Sequence, residues 1–190
     1  MNFSEHINNW LNCQNCDLCA GRKNVVFARG EIPCDLLFVG EAPGESEDSL
    51  GVPFVGPAGH LLNTIIGRAL PEGVSYAITN LVCCIPREDG RTTEPLDEHI
   101  LACGERLQEF IGIAKPKIVI ALGKLAQDYL GGNVRLAKKL GNICAGIEVV
   151  NCLHPSAILR ANLAQRSLAI QRCVVVIKNA AEKLLEERLA

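Results

Sequence analysis

Four short apolar runs, separated by helical patterns, constrain the fold of this chain more than any other feature. The runs cover residues 35–39, 75–79, 117–122 and 148–153, and each is rich in Val, Ile, Leu or Phe. Runs that are apolar throughout are typical of strands buried on both faces. Apolar residues recur at helical spacing from Pro57, over about 95–113, after Gly123 and over about 167–189. This alternation predicts an α/β fold: a four-stranded parallel sheet flanked by helices on both faces.

Length and composition favour one folded domain. The chain has 190 residues, of which 48% are apolar and 21% charged, which is enough to bury a core. We find no repeat or linker, so residues 1–190 are predicted to form a single domain with a cysteine-rich N-terminal segment, acting as a monomer. The chain has no run of eighteen apolar residues, so no membrane span is predicted. The N-terminus lacks the pattern of a signal peptide. The expected location is the cytoplasm.

Cysteines are unusually frequent, with ten in the chain. Four of them lie in apolar segments, where a free thiol behaves as a small hydrophobe: Cys34, Cys144, Cys152 and Cys173. The other six form a separate group: Cys13, Cys16, Cys19, Cys83, Cys84 and Cys103. Without a secretory signal, such a group indicates a metal or an iron–sulfur cluster rather than disulfides. The spacing of these residues is compatible with either zinc or iron–sulfur.

Polar motifs follow three of the four predicted strands. The segment 40–44 (GEAPG) follows the first, Asn80 the second, and the segment 154–156 (HPS) the fourth. Ligands bind at the carboxyl ends of parallel strands, so we expect these motifs to share one edge of the sheet. An amide such as Asn80 can both donate to and accept from a pyrimidine edge. His154 could donate to developing negative charge, and Phe54, in the loop 51–56, could stack on a planar base. Each motif alone would also fit an ordinary turn or core position.

Charge is distributed unevenly. The net charge is −2, but the segment from Tyr129 to Ala181 carries seven basic residues against the single acidic residue Glu148, a local net charge of +6. A basic third fits a polyanion that faces one side of the molecule, although scattered solvated side chains would give the same count.

Taken together, these motifs resemble the iron–sulfur (family four) uracil-DNA glycosylases. The resemblance covers most of the chain, in the segments 13–16, 40–48, 51–59, 61–63, 78–80, 122–123 and 154–160. It implies an enzyme that hydrolyses the N-glycosidic bond of deoxyuridine in single- or double-stranded DNA and so starts base excision repair. It also implies a structural four-iron, four-sulfur ([4Fe-4S]) cluster.

Residue roles follow from the same resemblance. The implied cluster ligands are Cys13, Cys16, Cys84 and Cys103. Glu41 would act on the attacking water or the sugar cation, and His154 would contact uracil O2. The implied uracil-binding residues are Gly40, Ala42, Phe54, Asn80 and His154, and the implied DNA-binding residues are Ser156 and Arg160.

Three departures from the family pattern stand out. Cys83 replaces a residue that is usually basic, Cys19 is an additional cysteine, and the segment 86–93 (PREDGRTT) is longer and more acidic than the usual proline-rich loop. Three alternative functions stay open: a DNA-binding protein without turnover, a glycosylase for another damaged base, and a hydrolase of free nucleosides. The basic third disfavours the last of these, because a nucleoside has no phosphate backbone to neutralise.

Overall fold

A computed structural model describes residues 1–131 and 143–189 of the chain. Its central sheet contains β1 (Ala28–Gly30), β2 (Leu36–Gly40), β3 (Tyr76–Asn80), β6 (Ile118–Leu122) and β7 (Glu148–Cys152) in the order β1-β3-β2-β6-β7. Strands β2, β3, β6 and β7 correspond to the four predicted runs and are mutually parallel. The short strands β4 (Arg87–Glu88) and β5 (Arg91–Thr92) form a separate hairpin.

The prediction of a four-stranded, wholly parallel sheet is wrong in one respect: the sheet has five strands and is mixed. Strand β1 pairs antiparallel with β3, from Ala28 opposite Thr79 to Gly30 opposite Ala77. It was missed because it has only three residues and is not apolar. Gly30 permits this pairing: it has a φ of +111°, and a Cβ there would lie 2.4 Å from the Tyr76 carbonyl oxygen.

Seven α-helices lie in the described ranges: α1 (Phe3–Trp10), α2 (Glu45–Leu50), α3 (Pro57–Ala69), α4 (Asp97–Ala114), α5 (Lys124–Leu130), α6 (Pro155–Arg160) and α7 (Leu163–Leu189). Helices α3, α4, α5 and α7 correspond to the predicted helical patterns, although α7 begins four residues early. The other three have at most eight residues each, which is too short for a repeated apolar spacing. None of the helices in the described ranges is long and apolar enough to cross a membrane.

Both faces of the sheet are covered by helices, as predicted. Successive side chains of β2 point to opposite faces: Leu37 packs with Leu107 of α4, whereas Phe38 packs with residues of α3 and α7 such as Ile65 and Ile177. Because β2, β3, β6 and β7 are parallel, their carboxyl ends meet at one edge of the sheet.

Candidate active site

A cavity of about 460 Å³ lies at the carboxyl edge of the sheet. Seven of the predicted site residues line it together: Glu41, Ala42, Phe54, Asn80, His154, Ser156 and Arg160. Residues that are up to 119 positions apart in sequence, from Glu41 to Arg160, therefore share one cavity. A parallel sheet produces this convergence because each strand delivers its following residue to the same edge.

Gly40 lies behind the cavity wall and makes room for it. A Cβ at this position would lie 2.5 Å from Phe54 Cζ and 2.6 Å from Asn80 Oδ1. Both distances are too short for any side chain, so Gly40 allows the aromatic ring and the amide to sit side by side. The strand pairing places Gly40 directly opposite Asn80.

The amide of Asn80 is the least solvated polar group of the cavity. Its residue is 1% exposed, and neither Oδ1 nor Nδ2 has a hydrogen-bond partner within the described part of the chain. The backbone of Asn80 is held by Arg106, whose Nη2 donates to the carbonyl oxygens of Asn80 and Leu81, both at 2.8 Å. A buried donor and acceptor without partners is the arrangement that a polar ligand would satisfy.

Phe54 presents its ring to the cavity from a constrained backbone. Its φ is +55°, a left-handed conformation that is rare outside glycine. A Cβ on Gly59 would lie 1.9 Å from the Phe54 carbonyl oxygen, so helix α3 can approach the loop only at a glycine. The ring centroid of Phe54 lies 5.9 Å from that of His154, at an interplanar angle of 40°.

Two residues that the sequence analysis did not single out hold this loop in place. Glu47 of α2 accepts hydrogen bonds from the backbone nitrogens of Val55 and Gly56 at 2.9 and 2.8 Å. Arg29 of β1 donates through Nε to the Pro53 carbonyl oxygen at 2.8 Å. The unpredicted strand β1 thus has a direct part in shaping the site. Glu47 lies inside the quoted segment 40–48, but nothing local to that segment reveals its distant partners.

His154 has a defined proton position. It is the N-cap of α6, and the backbone nitrogen of Ser156 donates to its Nδ1 at 3.2 Å. Because a backbone N–H can only donate, Nδ1 is an acceptor and the ring proton lies on Nε2. Burial, assisted by the positive charge of Arg160, lowers the pKa of His154 to about 4. The ring is therefore a neutral hydrogen-bond donor at physiological pH.

Glu41 faces His154 across Gly123, the residue that follows β6. A Cβ on Gly123 would lie 2.7 Å from Glu41 Oε1 and 2.9 Å from His154 Cβ. Gly123 also has a φ of +89°, so two independent constraints favour glycine there. Burial raises the pKa of Glu41, the negative charge of Glu94 raises it further, and Arg160 opposes both effects.

The basic third of the chain contributes one described residue to the cavity, Arg160. By contrast, Arg166 turns inward and donates to the Leu159 carbonyl oxygen, and Lys178 lies 3.6 Å from Glu182 of its own helix. Three of the seven basic residues lie outside the described ranges: Arg135, Lys138 and Lys139.

The predicted cluster ligands lie near one another in the N-terminal part of the molecule. Cys84 and Cys103 are buried in the same apolar core, and Cys16 packs against it. Burial raises the pKa of Cys16, and the thiols of Cys103 and Cys13 add to that rise. Burial likewise raises the pKa of Cys84 to about 11, against the opposing effect of Arg22, and Cys103 and Cys16 contribute. Arg22 Nη1 donates to Cys84 Sγ at 3.3 Å.

Cys83 and Cys84 are adjacent but belong to different surroundings. Cys83 packs with Val25 and Phe27 in a small apolar cluster beside α1, whereas Cys84 faces Cys103 in the main core. Within the described ranges, no group of three or more His, Cys, Asp or Glu side chains is arranged to hold a single metal ion.

Comparison with known proteins identifies the family. The sequence profile of the "Uracil DNA glycosylase superfamily" matches residues 27–178. A type-4 uracil-DNA glycosylase of Pyrobaculum aerophilum is 41% identical over 163 residues, which cover 78% of this chain and 80% of that protein. A type-4 uracil-DNA glycosylase of Thermotoga maritima is 37% identical over 168 residues, 86% of this chain and 84% of that protein. The chain belongs to the uracil-DNA glycosylase superfamily and, within it, to the type-4 uracil-DNA glycosylases.

Proposed function

We propose that this chain removes uracil from DNA by hydrolysing the N-glycosidic bond of deoxyuridine, the first step of base excision repair. The observation that carries the proposal is the buried amide of Asn80, which has no hydrogen-bond partner among the described residues and lies in one cavity with Phe54, His154 and Glu41. Such a cavity supplies a stacking face, a polar edge, a neutral donor and a carboxylate. Relatives that are named for this activity match the chain over most of its length.

The reaction begins with rotation of the uracil nucleotide out of the base stack and into the cavity. Unstacking costs a few kcal/mol, and least for mispaired or single-stranded uracil. Phe54 offers its ring to one face of the base. Asn80 accepts from uracil N3–H through Oδ1 and donates to O4 through Nδ2, which satisfies both unpartnered atoms.

Bond cleavage leaves negative charge on uracil and positive charge on the sugar. His154 donates from Nε2 to uracil O2 as the charge develops there, and its neutral state avoids protonating the base outright. One such donor is typically worth about 3–4 kcal/mol in the transition state. Backbone nitrogens of the Gly40–Ala42 turn lie at the same edge of the sheet and can assist.

Glu41 acts on the other side of the scissile bond. The deoxyribose acquires oxocarbenium character, as in glycoside hydrolysis. An ionised Glu41 stabilises that cation and accepts a proton from the water molecule that attacks it. Arg160 and Ser156, at the rim of the cavity, are the proposed contacts for the flanking phosphates.

The cysteine group fits a structural [4Fe-4S] cluster. Its donor set consists of four thiols, two buried and two half-buried, and the positive charge of Arg22 lies beside them. A set of four cysteine thiolates is the usual ligand set of such a cluster. When bound, the cluster would link the N-terminal segment, through Cys13 and Cys16, to α4 through Cys103. The excision steps above use none of its chemistry. We also propose that all 190 residues form one domain, active as a monomer in a reducing cytoplasm that keeps the thiols reduced.

The test is release of free uracil from labelled oligonucleotides under single-turnover conditions. Single- and double-stranded substrates with uracil, other damaged bases or no lesion, and free deoxyuridine, should be compared. We expect release from uracil-containing DNA only. Binding without release would favour the non-catalytic alternative, release of another base alone would favour a different glycosylase, and hydrolysis of deoxyuridine would favour the nucleoside hydrolase.

A further inference from the structure

The end of the segment 86–93, together with Glu94 directly after it, forms part of the wall of the cavity. Thr92, Thr93 and Glu94 all line it, as does Glu41. The family resemblance assigns no role to this wall. The hairpin β4–β5, which precedes Glu94, is tied down at several points.

Several contacts hold the hairpin. Arg87 of β4 forms an ion pair with Glu45 of α2 at 2.6 Å. Thr92 Oγ1 donates to the same carboxylate at 3.1 Å, and the backbone nitrogen of Thr93 donates to the Pro86 carbonyl oxygen at 3.1 Å. Glu94 follows directly on this fixed segment. Its carboxylate forms no ion pair or hydrogen bond with the part of the chain that the structure describes.

Among the ionisable residues that line the cavity, Glu94 differs from the others. Glu47 already accepts backbone hydrogen bonds from the Phe54 loop. His154 is neutral, with its pKa lowered to about 4 by burial and then by Arg160. Arg160 is the basic residue of the wall, and it opposes the effect of Glu94 on Glu41. This leaves Glu94 as a negative charge that lines the same cavity as Glu41 and has no ion-pair partner in the described ranges.

On the basis of the function proposed above, we propose that Glu94 is a positioning residue of the excision reaction, a second carboxylate that acts on Glu41 through its charge across the cavity. Glu41 is half-buried and Glu94 is exposed, and both line one cavity. Two carboxylates that share a cavity repel each other, so the proton on Glu41 is held more tightly while Glu94 is ionised. Burial is the larger cause of the raised pKa of Glu41, and Glu94 is the next.

The sign of the effect on activity follows directly. Glu41 must be ionised to stabilise the sugar cation, so activity falls as pH falls through the pKa of Glu41. The charge of Glu94 raises that pKa and therefore raises the pH at which activity is lost. Removing the negative charge of Glu94 must lower the pH below which activity is lost. Replacing it by a positive charge must lower that pH further.

A charge series at position 94 tests the proposal: Glu94→Asp, Glu94→Gln and Glu94→Lys. The rate of uracil release from single-stranded DNA is measured at constant ionic strength from about pH 4 to about pH 8. One pH unit below the midpoint of the parent, we expect Glu94→Gln to be about twofold to fivefold faster than the parent. Glu94→Lys should exceed it, and Glu94→Asp should resemble the parent. Glu88→Gln is the matched control, since it removes the same charge from the same hairpin but outside the cavity wall.

A second measurement does not depend on activity. The carboxyl carbon of Glu41 is titrated by NMR in the free protein, with its signal assigned by its loss in Glu41→Gln. We expect its midpoint to be lower in Glu94→Gln than in the parent and unchanged in Glu88→Gln. Equal midpoints in the parent and Glu94→Gln, or an equal shift in both Gln variants, would overturn the inference. If the Glu41 midpoint is lower in Glu94→Gln as expected but the parent protein releases no uracil, the proposed function is wrong, while the charge effect of Glu94 on Glu41 still holds.

Discussion

Replacing Asn80 by Ala should leave the folded protein as stable as the parent or more so, but should greatly slow uracil release. The amide is 1% exposed, and both of its polar atoms lack a hydrogen-bond partner within the described ranges. A buried polar group without a partner costs about 1–3 kcal/mol. The substitution removes two such atoms, and the space that it leaves opens into a cavity that admits water. We therefore expect the free energy of unfolding to stay the same or to rise by about 1 kcal/mol.

Activity should move in the opposite direction. In Asn80→Ala, uracil N3–H and O4 enter the cavity without partners, which costs about 2–6 kcal/mol for the two groups together. That cost corresponds to release that is roughly thirtyfold to twenty-five-thousandfold slower. Asn80→Asp should also lose uracil release, because an ionised carboxylate cannot donate to O4. It can accept from the exocyclic amine of cytosine, so weak release of cytosine is expected from Asn80→Asp and not from Asn80→Ala.

The assay combines chemical denaturation with single-turnover release of uracil and cytosine from matched single-stranded oligonucleotides. Asn9→Ala, at an exposed position of α1, is the control for loss of an amide. If Asn80→Ala releases uracil as fast as the parent, Asn80 is only a strand-end residue. If the variant instead loses several kcal/mol of stability, its amide has partners in the folded protein, and the argument from unpaired atoms is wrong.

Three further predictions concern the donor, the cysteines and DNA affinity. His154→Asn can keep the N-cap acceptor of α6 but lacks the Nε2 donor. The rate of uracil release should therefore fall about a hundredfold or more, while DNA affinity changes little. Turnover at the parent rate would contradict this role of His154. Purified protein should contain about four irons per chain, lost in Cys84→Ser and kept in Cys34→Ser; one stoichiometric zinc would contradict the cluster. Arg160→Gln should weaken DNA binding and flatten its dependence on salt, whereas an unchanged salt slope would place the phosphate contacts elsewhere.

The main strands could be predicted from sequence because their burial leaves a continuous apolar signal. Residues 117–122 are apolar after the initial lysine, and β6 is buried along its whole length. The convergence of Glu41, Asn80 and His154 followed from the rule that parallel strands end at one edge, and all three line one cavity. Three of the seven helices in residues 1–131 and 143–189 are too short for apolar periodicity to be visible in the sequence.

Strand β1 and the supports of the site could not be predicted, because their identity depends on partners that are far away in sequence. Arg29 reads as an ordinary basic residue until β1 pairs with β3 and brings it to the Phe54 loop. Glu47 is one of several acidic residues in α2, and only the fold shows that it accepts from Val55 and Gly56. Glu94 likewise joins the cavity only because the hairpin before it is anchored to α2.

The distribution of hydrogen bonds around the cavity argues that the site is built in advance of its ligand. The residues that shape the site are satisfied: Glu47 binds backbone nitrogens, Arg29 binds a backbone carbonyl, and Ser156 fixes the tautomer of His154. The groups that would touch the base are not, since both polar atoms of Asn80 lack partners in the described protein. A ligand with the complementary pattern would supply the hydrogen bonds that the described protein does not make to this amide. A base with the opposite pattern would not, so on the proposed function the same amide would contribute to both affinity and selectivity.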